Sequence, residues 1–463
     1  MSQEYSGLPT SEDVNLGRKA PAVANSDHWA RLLVCGGLLC IVAFVFAVHH
    51  FILVTLIRFV GQILVVGPEL ASVVTVDAAQ GRQVWKGWGT SLCWMGNAVG
   101  GWNNVTLRDE VMDLLFDRRT GLGMNFVRYN IGGGENPDPH YNSLRPGADI
   151  QGWQAANGTW NWNADRTQRW VLKAAVRRGV NLVQAFSNSP PYWMTKSGSV
   201  TGAYDGGNNL RDDMYPAFAR YLVTVVQHLQ TVDGVNIDSL TPINEPISWW
   251  WKFGNNQEGC HFERDKQNWI LKLVGQELTA RGLFPKIGVS GPEENAMHDS
   301  VDSVHAYDSE TLSYMTSFNT HSYLHAARQQ VADVGRELGK EVYCSEYGTG
   351  GADMGAGLGL ADVISQDINV ANATVWAYWL ATEPDDWGLF RTVWYGRPGI
   401  VSIGKQYSVF RQFSRFLRPG MRVLPSADSR SVIAVGACSL VVIVTNQQAW
   451  DVPYQYALHN GPK

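Results

Sequence analysis

From residue 73 onward, short apolar runs alternate with longer stretches whose apolar residues recur at helical spacing. The apolar runs predict eight strands, near 84–89, 124–130, 181–187, 238–244, 286–291, 316–321, 341–346 and 374–380. Most are separated by amphipathic segments, among them 107–119, 166–178, 214–230, 265–281, 326–338 and 361–371. Strand–helix alternation predicts a parallel sheet with crossover helices. Eight repeats between residues 84 and 420 predict an α/β fold closed into a (β/α)8 TIM barrel rather than an open sheet. Residues 413–420 end a helix, and β-rich runs follow at 431–435 and 439–445. Residues 73–76 offer a partner strand ahead of the barrel. A small β-sandwich is therefore expected from both flanks, with its first strand in 73–83 and a short C-terminal part in 421–463.

The N-terminal pattern is different. Residues 1–31 are polar and read as a disordered tail. Residues 32–57 then run for 26 positions without Asp, Glu, Lys or Arg. At about 1.5 Å per helical residue that is enough to cross a hydrocarbon core of about 30 Å. Arg18, Lys19 and Arg31 precede the run and Arg58 follows it, which favours a cytoplasmic N-terminus. A single-pass type II signal-anchor is expected, with 58–72 as connector and the body extracellular or lumenal; cleavage would leave the body secreted. Sequons at Asn104, Asn157 and Asn372 are compatible with that placement.

Composition narrows the chemistry. A formal net charge of −5 gives no reason to expect a nucleic-acid partner. Nineteen Trp, 17 Tyr and 16 Phe are abundant enough to supply both a large core and platforms for the C–H faces of sugars. Cys35 and Cys40 lie in the apolar run; pairing among Cys93, Cys260, Cys344 and Cys438 is left open. No His, Cys and Asp cluster has metal-ligand spacing, and the glycine runs at 132–134 and 348–351 lack P-loop spacing. No metal or cofactor is expected, nor does any feature call for a second copy, so a monomer is expected.

The polar residues that end the strands carry the functional signal. Thr241-Pro242-Ile243-Asn244-Glu245-Pro246 ends strand four in an amide and a carboxylate. Glu341-Val342-Tyr343-Cys344-Ser345-Glu346-Tyr347-Gly348 repeats the design 101 positions on. Strand one ends in Gly87-Trp88-Gly89-Thr90-Ser91, and strand two in Arg128-Tyr129-Asn130. Strand three ends in Ser187-Asn188-Ser189, strand six in His321-Ser322-Tyr323 and strand eight in Trp379. Active sites of such barrels lie at the C-terminal ends of the strands. Two strand-end glutamates suggest a retaining glycosidase, in which one carboxyl protonates the leaving oxygen and the other attacks the anomeric carbon.

The ordered set of motifs resembles glycoside hydrolase family 30 over about residues 73–460. It comprises Gly87-Trp88-Gly89-Thr90-Ser91-Leu92, Asn244-Glu245-Pro246, Trp249-Trp250-Trp251, Ser345-Glu346-Tyr347-Gly348 and the run Gln412 to Gly420. Gln257-Glu258-Gly259-Cys260-His261-Phe262 is most similar to the endo-β-1,6-galactanase branch. Met95 and Tyr192 stand where that branch tends to other residues, which bears on subsite preference. The resemblance implies Glu245 as acid/base and Glu346 as nucleophile. Asn244 would bind the sugar 2-OH, and Arg128 would pair with Glu346. His321 would contact a hydroxyl, Tyr323 would donate to the nucleophile, and Trp379 would floor the cleavage subsite. Trp88, Trp193 and Trp249 would line neighbouring subsites, whereas His261 and Glu258 read as loop structure. The implied substrate is β-1,6-galactan, such as arabinogalactan side chains. β-1,6-Glucan, a glucosylceramide, or glycan binding without catalysis are the alternatives.

Overall fold

The computed structural model describes residue 45, residues 48–53 and residues 73–460. The chain divides into two units, Met1–Ala71 and Ser72–Lys463. Most of the apolar run 32–57 lies outside the described residues, as do the tail 1–31 and the connector 58–72; the few described positions of the run are helical. Among the described residues no helix is long and apolar enough to cross a membrane.

After β1 (Val73–Asp77), eight parallel strands close a barrel in chain order. They are β2 (Gly87–Ser91), β3 (Phe126–Asn130), β4 (Leu182–Phe186), β5 (Ser239–Thr241), β6 (Gly288–Ala296), β7 (Met315–Leu324), β8 (Glu341–Tyr347) and β9 (Ala373–Tyr378). Closure comes from β2 pairing with β9, Gly87 opposite Val375 and Trp88 opposite Trp376. Nearly every strand residue is buried, as parallel strands covered on both faces must be. Crossover helices cover the outside. In Tyr215–Thr231, the side chains of Phe218, Tyr221, Leu222, Val225, Val226 and Leu229 form one buried stripe at helical spacing.

Strand one differs from expectation at Trp88. Its side chain points out of the barrel, fully buried against Trp85, Trp376, Phe410 and Phe413. Its indole Nε1 donates to the Leu417 carbonyl at 2.7 Å. Trp88 is thus a clasp between the barrel and the helix Lys405–Phe416 and lines no sugar subsite. The neighbouring glycine is required: a Cβ on Gly89 would come within 2.4 Å of the Phe126 carbonyl oxygen.

Two small sheets flank the barrel. Strands β13 (Arg422–Leu424), β14 (Ser431–Val435) and β15 (Leu440–Val444) form an antiparallel meander. Strand β1 pairs in parallel with β16 (Gln455–His459), a strand that the apolar pattern does not announce. Val74, Val76, Leu424 and Ile433 form the shared core of the two sheets. Beyond β9, a third sheet of β10 (Thr382–Glu383), β11 (Phe390–Val393) and β12 (Gly399–Ile403) stands at the barrel mouth. Cys93, Cys260, Cys344 and Cys438 are all free thiols.

Candidate active site

The strands deliver their polar ends to one cavity of about 450 Å³ at the C-terminal mouth. Glu245 and Glu346 face each other across it, only 7% and 4% exposed. One carboxylate oxygen of each, with a ring nitrogen of His321, lie within 4.8 Å of one another. Both glutamates reach the mouth because their strands end there, but Glu245 does so at a cost. Its φ is +48°, in the left-handed region that non-glycine residues rarely adopt. Its backbone N–H donates to the Glu293 carbonyl at 2.8 Å, and its own carbonyl accepts from Trp251 Nε1 at 2.8 Å. These bonds hold the turn in place.

Arg128 occupies the centre of the floor, fully buried. Its guanidinium donates to Glu346 Oε2 at 2.5 Å, Ser91 Oγ at 3.0 Å, Gln184 Oε1 at 3.2 Å and Asn244 Oδ1 at 2.9 Å. A longer contact of 3.5 Å reaches Glu293 Oε2. The fork also stacks on Phe186, 4.2 Å from the ring centroid. Asn244 is oriented by that bond, which leaves its Nδ2 without a protein partner among the described residues and on the cavity wall. Tyr323 donates its hydroxyl to Glu346 Oε1 at 3.1 Å, and Trp379 lines the cavity beside it.

His321 does not take the hydroxyl-contacting place expected of it. It is fully buried behind the pair, with Nδ1 3.1 Å from Glu245 Oε1 and 3.6 Å from Glu346 Oε1. Its Nε2 lies 3.4 Å from Glu293 Oε2. Burial alone would push the imidazole down, but Glu346, Glu245 and Glu293 together hold it up at about 9. At neutral pH it is a second cation of the floor.

Glu293 was missed by sequence reasoning. It sits at the bend in β6, fully buried with φ +61°. Gln184, Asn319 and Ser345 donate to its carboxylate. Burial would raise its pKa, but Arg128, His321 and Ser345 bring it down to about 2. For Glu346 burial pushes up and Glu245 adds to the push, while His321 and Arg128 pull down; the net direction is up.

The aromatic expectations divide. Trp379 lines the cavity. Trp193 instead lies half-buried in a short turn, with Nε1 donating to the Gln154 carbonyl at 3.0 Å. Trp249 is 73% exposed and points away, while Trp250 and Trp251 of the same motif line the site. Trp94, from the helix Cys93–Gly100, and Trp387, from a loop, are further lining residues, and Trp94 meets Trp379 edge-on at 5.2 Å. Glu258, read as loop structure, does pin a loop: it accepts from Asn130 Nδ2 at 3.0 Å and Gly133 N at 2.8 Å. It also borders the cavity, and burial raises its carboxyl to about 8.

This geometry has counterparts among known proteins. An endo-β-1,6-galactanase of Hypocrea rufa is 29% identical over 399 residues, covering 81% of this chain and 81% of that protein. A conserved exported protein of Bacteroides fragilis superposes with a TM-score of 0.74 at 20% identity, over 81% of this chain and 90% of the other. An endo-β-1,6-glucanase superposes at 0.65 and 18% identity, over 84% and 89%. Both structures share the fold. Residues 71–345 match the profile of O-glycosyl hydrolase family 30, more than half of the chain, and the chain accordingly belongs to that family: it is a glycoside hydrolase.

Proposed function

We propose that the chain is an endo-acting, retaining hydrolase of β-1,6-linked galactan. The observation that carries the chemistry is the closeness of the two carboxylates, an oxygen of each within 4.8 Å. Retaining enzymes hold their carboxyl groups about 5–5.5 Å apart, and inverting enzymes about 6.5–9.5 Å, to admit a water. Glu346 Oε1 or Oε2 forms a bond to the anomeric carbon as the bond from that carbon to the leaving O6 breaks. Glu245 gives its proton to that oxygen. In the second step Glu245 takes a proton from water, the water oxygen bonds to the anomeric carbon, and Glu346 leaves as carboxylate. Arg128 and Tyr323 hold the nucleophile, and the free Nδ2 of Asn244 is placed to bind the 2-OH.

Support for galactan comes from the Hypocrea rufa relative, which resembles this chain over four-fifths of its length. The shared fold of an endo-β-1,6-glucanase keeps β-1,6-glucan as a second reading. The test is incubation of the full chain with β-1,6-galactan and β-1,6-glucan, with Glu346→Ala as control. Galactose oligomers whose first-formed reducing end is β support the proposal. Release from glucan alone would replace the sugar, and an α first product would replace the mechanism. The 32–57 run is proposed as the anchor that holds this body outside the cytoplasm; sedimentation with membranes, abolished on deleting 32–57, tests that.

A further inference from the structure

Most buried charges at the mouth are paired. One is not. Glu383 in β10 is 7% exposed and lines the cavity, yet its carboxylate has neither a hydrogen bond nor an ion pair among the described residues. Its oxygens open onto the cavity, so their hydrogen-bond donors come from what fills it, water or ligand. Glu258, another acid that borders the cavity, is already satisfied by Asn130 and Gly133.

The backbone that carries Glu383 is fixed. Thr382 and Glu383 pair with Phe390 and Arg391, and the Thr382 and Thr392 hydroxyls meet at 2.9 Å. The preceding Ala381 N–H donates to Thr90 Oγ1 at 3.1 Å, which ties this segment to the first barrel strand. Arg145 also reaches the cavity, and its guanidinium has no hydrogen bond or ion pair among the described residues. It lies flat over Trp94, 3.7 Å from the ring centroid, and Trp94 in turn meets Trp379. Trp379, Trp94 and Arg145 thus form a wall that leaves the catalytic pair and ends at unpartnered acceptors and donors. Asp385, also on the cavity, stands with Glu383 and Arg145 as the third charged group there.

We infer that Glu383, with Arg145 over Trp94, is a specificity-determining subsite for a neutral hexose one unit outward from the cleavage subsite. The inference rests on the galactan proposal. The carboxylate accepts two sugar hydroxyls, and the guanidinium, held over the Trp94 ring, donates to a third oxygen. Two acids against one base make the wall hostile to a uronic acid. Burial, with Asp385 adding and Arg145 opposing, lifts the Glu383 carboxyl to about 7, and sugar hydroxyl donors would draw it back toward the anion.

The experiment compares the full chain with Glu383→Gln and Glu383→Ala on β-1,6-galactotetraose. A mechanism-based galactosyl inhibitor that fills only the cleavage subsite labels Glu346 as the second readout. Losing charge-assisted hydrogen bonds lowers kcat/KM by about 10-fold or more, most of it in KM, while the labelling rate stays within about 2-fold. Equal kcat/KM in all three proteins overturns the inference and leaves the galactan proposal standing. Equal losses in oligomer cleavage and in labelling also overturn it, since they would place Glu383 at the reacting sugar. Absence of turnover on galactan by the unsubstituted chain removes the galactan proposal and this subsite together.

Discussion

Arg128→Met is the most informative perturbation of this barrel. The guanidinium is fully buried and makes one short ion pair, one longer one and three neutral hydrogen bonds. Methionine fills most of its volume but leaves Glu293 and Glu346 facing each other with only His321 between them and their charge. Breaking a buried pair by removing one partner costs about 3–5 kcal/mol. Unfolding entropy near 2.1 cal/mol/K per residue, summed over residues 73–460, is about 0.8 kcal/mol/K. The expected fall in Tm is therefore about 4–6 °C at pH 7. Glu293 adds a pH signature. Its depressed pKa of about 2 contributes stability above the usual carboxylate range that is lost as pH falls through about 2. Without Arg128 that protection weakens, and acid unfolding begins at higher pH. Activity moves in the same sense. In the proposed mechanism Glu346 attacks as an anion, and Arg128 is one of the groups holding it down against burial and Glu245. Its loss shifts the acid limb of kcat/KM upward. Scanning calorimetry and a pH–rate profile check both parts. A Met variant with unchanged Tm and an unshifted acid limb would falsify the assignment of Arg128 as the cation that keeps this cluster ionised.

Other substitutions have separate signatures. Glu245→Ala should lower kcat on galactan by about 10²–10⁴-fold; on a substrate whose leaving group needs no proton the first step should be much less affected, and equal loss on both would contradict an acid role. Glu258 holds its proton to about 8, so its contribution to stability is full below the usual carboxylate pKa and is lost as pH rises through about 8. Glu258→Gln should remove that part of the Tm decline between pH 5 and 9; an unchanged slope counts against it. Trp88→Ala should cost about 3–5 kcal/mol of stability as a core cavity, with oligomer KM unchanged when measured well below its lowered Tm. A raised KM at full stability would return Trp88 to the substrate cleft.

Much of the site was legible because a barrel strand places its last polar residue at the mouth. Arg128, Asn244, Tyr323, Glu346 and Trp379 could be read that way, and each lies on the cavity or directly beneath it. Glu293 obeys the same rule but was hidden. The apolar run of β6 stops at Gly291-Pro292, so the acids after it, Glu293-Glu294, fall beyond the expected strand 286–291. An apolar run ending in carboxylates was the signal, as at Glu245 and Glu346. His321 failed on direction: periodicity places a residue at a strand end but says nothing about three carboxylates converging on its ring. Trp88 failed on parity, since alternate residues of a strand face opposite sides. Trp94, Arg145 and Glu383 come from segments outside the barrel strands, whose positions depend on tertiary packing that local pattern does not encode. Strand β16 was invisible for a related reason. Gln455-Tyr456-Ala457-Leu458-His459 becomes a strand by pairing with residues 73–77, almost four hundred positions earlier.

That distant pairing, with the Trp88 clasp on Leu417, sets the order in which the protein can be made. Residues 73–88 leave the ribosome long before their partners, Leu417 and residues 455–459. At about 5–20 residues per second, roughly 20–80 s separate synthesis of β1 from synthesis of β16. Throughout that interval β1 has an unpaired edge, and the indole of Trp88 has no Leu417 carbonyl to bond. Nascent chains should therefore depend on chaperones until β16 has emerged. Slowing the ribosome between Trp88 and β16 would prolong exposure of β1 more than it helps β16.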